Sequence, residues 1–149
     1  MTEPTIARMT SADGDAWLAM RVALWPDADR PTLALEISAL LARPDFAVFG
    51  ARGSTGEWLG FVEIGARDVA EGCDTSPVGY VEGLWVDAKA RRNGIARRLI
   101  MAAADWSRSQ GYGEMASDTE IHNTLSQNVH ERLGFEETER LVTFRMDLR

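Results

Sequence analysis

The stretch Gly79-Tyr80-Val81-Glu82-Gly83-Leu84-Trp85-Val86-Asp87-Ala88-Lys89-Ala90-Arg91-Arg92-Asn93-Gly94-Ile95-Ala96 decides the fold. Its first part, Tyr80–Val86, is rich in aromatic and branched residues and predicts a strand. Beyond it, Ile95, Leu99, Ala102, Ala103 and Trp106 fall on one stripe of a helix that Gly111 stops. Between the two lies Arg91-x-x-Gly94-x-Ala96. The first N–H groups of a helix have no partner within it. With the helix dipole they attract phosphate. Gly94 has no side chain to obstruct an approaching pyrophosphate, and Ala96 is small where the helix must come close to both ligand and sheet. Arg91, Arg92, Arg97 and Arg98 add positive charge. Read alone, the junction is either a phosphate cradle or an ordinary basic helix start.

Working outward, the segments on either side supply a mixed fold. Thr5–Met9 reads as a first strand, and Ser11 and Asp13 suit a helix N-terminus. Trp17, Met20, Val22 and Leu24 mark a helix over Ala16–Leu24 that Trp25-Pro26 closes. Pro31 opens a second helix carrying Leu33, Ile37, Leu40 and Leu41. Phe46–Ala51 and Trp58–Ile64 form a hairpin around Ser54-Thr55-Gly56, and Arg67–Pro77 is a long polar loop. After the decisive stretch come a short strand at Glu114–Ser117 and a helix over Asn123–Leu133 with Leu125, Val129 and Leu133 on one side. One or two strands are expected between Phe135 and Leu148. The class is α/β (α+β): a mixed sheet with helices on both faces, in a single domain over residues 1–149.

Composition narrows the partners. The net charge of -7 disfavours nucleic acid and anionic membrane, and it favours cations such as amines. A single cysteine, Cys73, rules out an intrachain disulfide and argues against a cysteine metal cluster. No apolar run approaches membrane-spanning length and no signal segment opens the chain, so a cytoplasmic protein without a metal is expected.

The segments Tyr80–Trp106 and Asn123–Phe135, the latter ending in Leu133-Gly134-Phe135, resemble the GNAT superfamily of acyl-CoA N-acyltransferases. The resemblance implies that acetyl-CoA is the cosubstrate. Its pyrophosphate would lie on Arg91, Arg92, Asn93, Gly94, Ile95 and Ala96. Its pantetheine arm would lie along Leu84, Trp85 and Val86, where the sheet splays, and would touch Asn123. The backbone N–H of Leu84 would polarise the thioester carbonyl. Where many members carry a tyrosine that protonates the departing thiolate, this chain has His130; histidine can donate a proton, and a packing role stands equally open.

A finer resemblance covers nearly the whole chain. Leu24-Trp25-Pro26, Gly72–Pro77, Val81-Glu82-Gly83, Glu114–Thr119 and Gly134–Arg140 are similar to the aminoglycoside 6′-N-acetyltransferases, which confer antibiotic resistance. This implies that Trp25, Glu82, Asp118 and Glu139 contact a polycationic amino sugar, with Asp118 nearest the reacting amine and Glu82 second. It also favours a homodimer. The chemistry agrees, because a bound alkylamine is mostly protonated and needs a carboxylate to hold it and accept its proton. Each residue also has a plain alternative: a surface glutamate for Glu82, a turn or cap for Asp118, a solvated acidic face for Glu139, a packed helix end for Trp25. The rival functions are acetylation of a polyamine or another small amine, and a non-catalytic acyl-CoA-binding module.

Overall fold

The structure is a computed structural model and describes residues 3–149. Its elements, in chain order, are β1 (Thr5–Arg8), α1 (Gly14–Leu24), α2 (Arg30–Leu41), β2 (Phe46–Arg52), β3 (Trp58–Arg67), β4 (Val78–Val86), α3 (Ile95–Ser109), β5 (Met115–Ser117) and α4 (Thr124–Arg132). Short 3-10 turns at Ser11–Asp13 and Ala88–Ala90 lead into α1 and toward α3. The helix starts follow local chemistry. Asp29 caps α2 by accepting from Thr32 N–H at 3.1 Å, with a proline in the first turn.

The five strands lie in the order β1-β2-β3-β4-β5. The first three pairings are antiparallel, and β5 joins β4 in parallel. Helix α3 makes the crossover that a parallel pair requires. Two apolar clusters sandwich the sheet. On one face, Trp17, Met20 and Ile37 of α1 and α2 bury Phe46, Val48 and Phe61. On the other, Ile95, Leu99, Ala103 and Trp106 of α3 bury Ala47, Val62, Ile64 and Val81. Alternation along each strand sends successive side chains to opposite faces. Helices on both sides of an open mixed sheet are the expected class.

One irregularity positions the site. Ile64 pairs with Val81 while Glu63 pairs with Gly83, so Glu82 is an extra residue in β4. This is a β-bulge. Above it Tyr80 lies on the α1 face and Val81 on the α3 face. Below it Leu84 and Val86 pack on the α3 side and Trp85 on the α1 side.

Two expectations fail. No strand forms after Phe135: residues 136–149 are irregular and exposed. An isolated segment of that kind has no strand beside it to supply ladder partners, so alternating side chains alone do not make a sheet. Leu125 is also not a core residue but an exposed one, because α4 touches the body with its Val129–Leu133 side and buries no residue fully.

Candidate active site

The loop between β4 and α3 has the backbone of a cradle. Arg92 and Gly94 both take left-handed conformations, with φ of 68° and 73°. Gly94 is the N-cap of α3 and supplies no side-chain acceptor, so the first-turn N–H groups of α3 are free of a side-chain cap. A Cβ on Gly94 would meet nothing within 4 Å, which leaves open space in front of those donors. An anionic pyrophosphate fits that donor set. Three of the basic side chains around the cradle have carbonyl partners within the protein. Arg91 Nε donates to Val86 O at 3.1 Å, Arg97 to Arg132 O at 2.7 Å, and Arg98 to Pro4 O. They brace the loop, α4 and the start of the chain. Asn93 Nδ2 donates to Ala90 O at 3.2 Å and closes the turn.

Beside this cradle the sheet opens. The β4–β5 register runs Gly79↔Met115, Tyr80↔Ala116 and Val81↔Ser117, and pairing stops there. Residues 82–86 of β4 continue with their outer edge unpaired among the described residues, which includes Leu84, Trp85 and Val86. An extended, amide-bearing arm can join such an edge as an added strand. Asn123 sits across the opening as the N-cap of α4, its Oδ1 accepting from Ser126 N–H at 3.0 Å. Its side-chain N–H groups remain to donate.

The carboxylates gather on the α1 face of the same opening. Glu82, thrust out by the bulge, receives two hydrogen bonds from Arg67 at the end of β3, Nε to Oε1 at 2.8 Å and Nη2 to Oε2 at 2.7 Å. The same guanidinium lies 3.5 Å from the centre of the Tyr80 ring. The Tyr80 hydroxyl donates to Asp118 Oδ2. Asp118 and Glu82 are therefore tied into one cluster through Arg67 and Tyr80. Burial, then the Asp118 hydrogen bond, push the Tyr80 hydroxyl well above its usual pKa, so it remains a donor. The Glu82 carboxylate raises the pKa of Arg67 further, chiefly by hydrogen bonding.

Trp25 closes the side of this cluster. A Cβ on Gly83 would lie 2.9 Å from the Trp25 ring, so glycine lets the indole rest on β4 next to Glu82. Beneath the indole, 5.0 Å from its centre, is the guanidinium of Arg21. Arg21 is 4% exposed and fully engaged: Nη1 donates to Leu33 O at 2.9 Å, Nη2 meets Glu36 at 2.8 Å, and Nε lies 2.8 Å from Glu63 Oε1. The Nε–H points off the line to Glu63, so that contact is an ion pair rather than a directed hydrogen bond. Trp17 Nε1 also donates to Glu63 Oε1 at 2.8 Å. Desolvation raises the pKa of Glu63, against the opposing pull of Arg21 and Trp17.

His130 lies on the opposite, α3 side. Nδ1 is 2.7 Å from the carbonyl of Ser126, an acceptor only, so Nδ1 carries a proton. Nε2 is 2.8 Å from Ser117 Oγ, the last residue before the strands part. The ring also stands edge-on to Phe135 at 5.3 Å. In the neutral ring Nε2 accepts from Ser117, and only the imidazolium can pass a proton outward, through that hydroxyl. Glu139 is not brought to the cluster. It lies in the exposed C-terminal segment, beyond Thr138, whose hydroxyl donates to Glu71 O at 3.2 Å.

Reasoning from sequence missed Arg67, Tyr80, Arg21 and Ser117. Arg67 and Glu82 are 15 residues apart and Tyr80 and Asp118 are 38 apart, so no local pattern joins them. The one available signal was the position of Tyr80 two residues before Glu82 on the same strand.

The arrangement has known counterparts. The profile of the Acetyltransferase (GNAT) family matches residues 12–135. An aminoglycoside N(6′)-acetyltransferase type 1 of Serratia marcescens is 45% identical over 135 residues, 90% of this chain and 92% of that protein. One of Stenotrophomonas maltophilia is 42% identical over 97% of this chain and 94% of its own length. Among solved structures, AAC(6′)-Iy in complex with the bisubstrate analog CoA-S-monomethyl-acetylneamine superposes with a TM-score of 0.94. It is 36% identical over 98% of this chain and 99% of that one. A phosphate cradle, an opened sheet edge and relatives matched end to end agree: the chain belongs to the GNAT acetyltransferase family and, within it, to the aminoglycoside N(6′)-acetyltransferases.

Proposed function

We propose that this protein transfers the acetyl group of acetyl-CoA to the 6′-amine of aminoglycoside antibiotics and so confers resistance to them. The observation that carries this reading is the pairing of Glu82 and Asp118 in one cluster at the mouth of the β4–β5 opening, on the face opposite the phosphate cradle. Donor and acceptor then approach from opposite faces of the sheet and meet where it parts. The relatives' names and the bisubstrate complex of AAC(6′)-Iy support the same substrate pair.

Asp118 holds the 6′-ammonium through Oδ1, since Oδ2 is taken by Tyr80. Glu82 is the second anchor, and Trp25 offers its indole face to a sugar ring. Glu82 is fixed by the Arg67 fork and Asp118 by the Tyr80 hydroxyl, so these residues act chiefly by positioning the amine. The ammonium loses its proton to the carboxylate directly or through water. The amine nitrogen then bonds to the acyl carbon while the carbon–sulfur bond breaks, and the nitrogen gives its second proton to water as the amide forms. Acetyl-CoA supplies the acyl group already activated as a thioester, so the chemistry needs no metal. The Leu84 N–H steadies the carbonyl oxygen, and His130, as imidazolium through Ser117, returns a proton to the thiolate.

We assign residues 1–149 to one catalytic domain and place it in the cytoplasm, where acetyl-CoA is made available. The active form is a homodimer. Leu141, Val142, Phe144, Met146 and Leu148 are all exposed in the C-terminal segment, and β5 pairs with β4 alone, so its other edge is open to a strand from a second copy.

Thiol release from acetyl-CoA tests the reading, with kanamycin, spermine and a lysine peptide as acceptors. Kanamycin is expected to be turned over, and an analogue with a hydroxyl at the 6′ position is not. Turnover of spermine alone would reassign the acceptor to polyamines. Turnover of none, with acetyl-CoA still bound, would mark a binding module.

A further inference from the structure

The α1 face of the opening carries two arginines of opposite character. Arg21 is buried and held by three partners, so it cannot move without breaking the core. Arg67 has 42% of its side chain exposed, against 34% for its partner Glu82, and among the described residues its guanidinium hydrogen-bonds to Glu82 and lies over the Tyr80 ring. Its guanidinium engages both oxygens of Glu82 and lies flat on the tyrosine that binds Asp118. A planar cation, chelated by one carboxylate and one aromatic ring away from another, occupies the place where the acceptor's ammonium groups are to be received.

We propose that Arg67 is an internal cation that fills the amine-receiving cluster until a substrate displaces it, and that this exchange makes the site select polycations. The inference rests on the reading that the cluster binds the acceptor amine. With Arg67 in place, Glu82, Asp118 and Arg67 sum to one negative charge; with Arg67 swung out, to two. An acceptor with one positive charge can take the open oxygen of Asp118 with Arg67 still on Glu82, and its affinity is lowered by that nearby cation. An acceptor with several charges takes Asp118 and also displaces Arg67 from Glu82, so only that acceptor engages both carboxylates. The exchange is reversible because the pair is partly exposed and water screens it. The buried Arg21–Glu63 pair on the same face has no such freedom. The Tyr80 ring and the Asp118 contact stay behind when Arg67 leaves, so the cluster keeps its shape.

Arg67→Gln removes the charge and keeps a polar chain, while Arg67→Lys keeps the charge without the bidentate fork. The probes are glucosamine, with one ammonium, and kanamycin, with several, titrated by NMR against the full-length protein at low and moderate salt. Arg67→Gln is expected to bind glucosamine about fivefold more tightly, the ceiling for a partly exposed pair, and to narrow its preference for kanamycin. Its binding of both should weaken more steeply with salt, and the acetyl-CoA KM should not change. Arg67→Lys is expected to keep the wild-type preference. Unchanged or weaker glucosamine binding by Arg67→Gln overturns the proposal and makes Arg67 a structural pin; so does an Arg67→Lys protein that behaves like Arg67→Gln. Melting temperatures close to that of the parent show that the variants fold. Turnover of kanamycin by the parent is scored separately. Its failure removes the acetylation reading without touching the binding result, and its success with unchanged glucosamine binding removes only the internal cation.

Discussion

At the scale of single residues, the site depends on who holds Asp118. Tyr80 donates to one of its oxygens, and in the proposed reaction the other receives the amine. Tyr80→Phe is expected to lower kcat/KM for the acceptor about tenfold, the usual loss for a hydrogen bond to a charged group, with little change in melting temperature. Asp118→Ala should cost more, since it removes the anchor itself. An Asp118→Ala enzyme with parental kinetics would take that residue out of the mechanism. Because burial and Asp118 raise the Tyr80 pKa above its ordinary 10.0, no tyrosine ionisation should appear in the pH–rate profile below pH 10.0. The sequence singles out Asp118 and Glu82 because the chemistry of amine transfer asks for carboxylates at strand ends, and the structure ties both into one cluster. Arg67 and Tyr80 were not legible, because their roles arise only from side chains that meet across the sheet. For His130 the sequence leaves proton donor and packing residue equally open, and its partner Ser117, 13 residues away on another element, is not marked by any local pattern.

At the scale of elements, the β4–α3 junction was the most readable part of the chain: the strand, the left-handed glycine and the helix all form where the sequence places them. Gly94→Glu puts a side chain where φ is 73° and a negative charge before the free N–H groups of α3. The expected result is an acetyl-CoA KM raised about tenfold or more with the acceptor KM little changed; equal rises in both would mean general distortion. A second element-level device is the anchor of the 72–77 loop. Glu114 Oε1 accepts from Asp74 N–H at 2.8 Å, Thr75 N–H at 2.7 Å and Thr75 Oγ at 2.6 Å. The Thr75 hydroxyl, followed by the backbone donors, lowers the pKa of Glu114 below 4.5. A lowered carboxylate pKa means that the anchor is present above the unfolded value and is lost as pH falls through the folded one. The Asp74 and Thr75 amide resonances should therefore titrate with a midpoint under pH 4.5, and a midpoint at or above 4.5 would show that the anchor is absent in solution. The expected C-terminal strands show where pattern reading ends. Alternation identifies a segment able to pair, but pairing needs an edge, and none within the protomer is beside residues 136–149.

At the scale of the whole molecule, the layers were legible because the two periodicities, 2 for strands and 3.6 for helices, divide the chain cleanly up to Gly134. Beyond Phe135 the chain is exposed, tied back through Thr138 to Glu71, and in the proposed homodimer a second copy would cover it. Phe144 is 92% exposed, an improbable fate for a phenylalanine in a finished assembly. Removing residues 141–149 is expected to give a monomer in sedimentation velocity, while the full chain sediments as a dimer. A full-length monomer at micromolar concentration would refute the proposed assembly. The bulge at Glu82 bears on how such a molecule tolerates change. It acts as a shift of reading frame within one strand: Tyr80 and Val81 obey one assignment of odd and even positions to faces, and Leu84, Trp85 and Val86 obey the other. Deleting Glu82 alone would cancel that shift: Val81 and Gly83 would become neighbours opposite Ile64 and Glu63, the ladder would run regularly, and Leu84, Trp85 and Val86 would keep the faces they now occupy. The extra residue thus adds a carboxylate to the strand without altering what either half of it packs against.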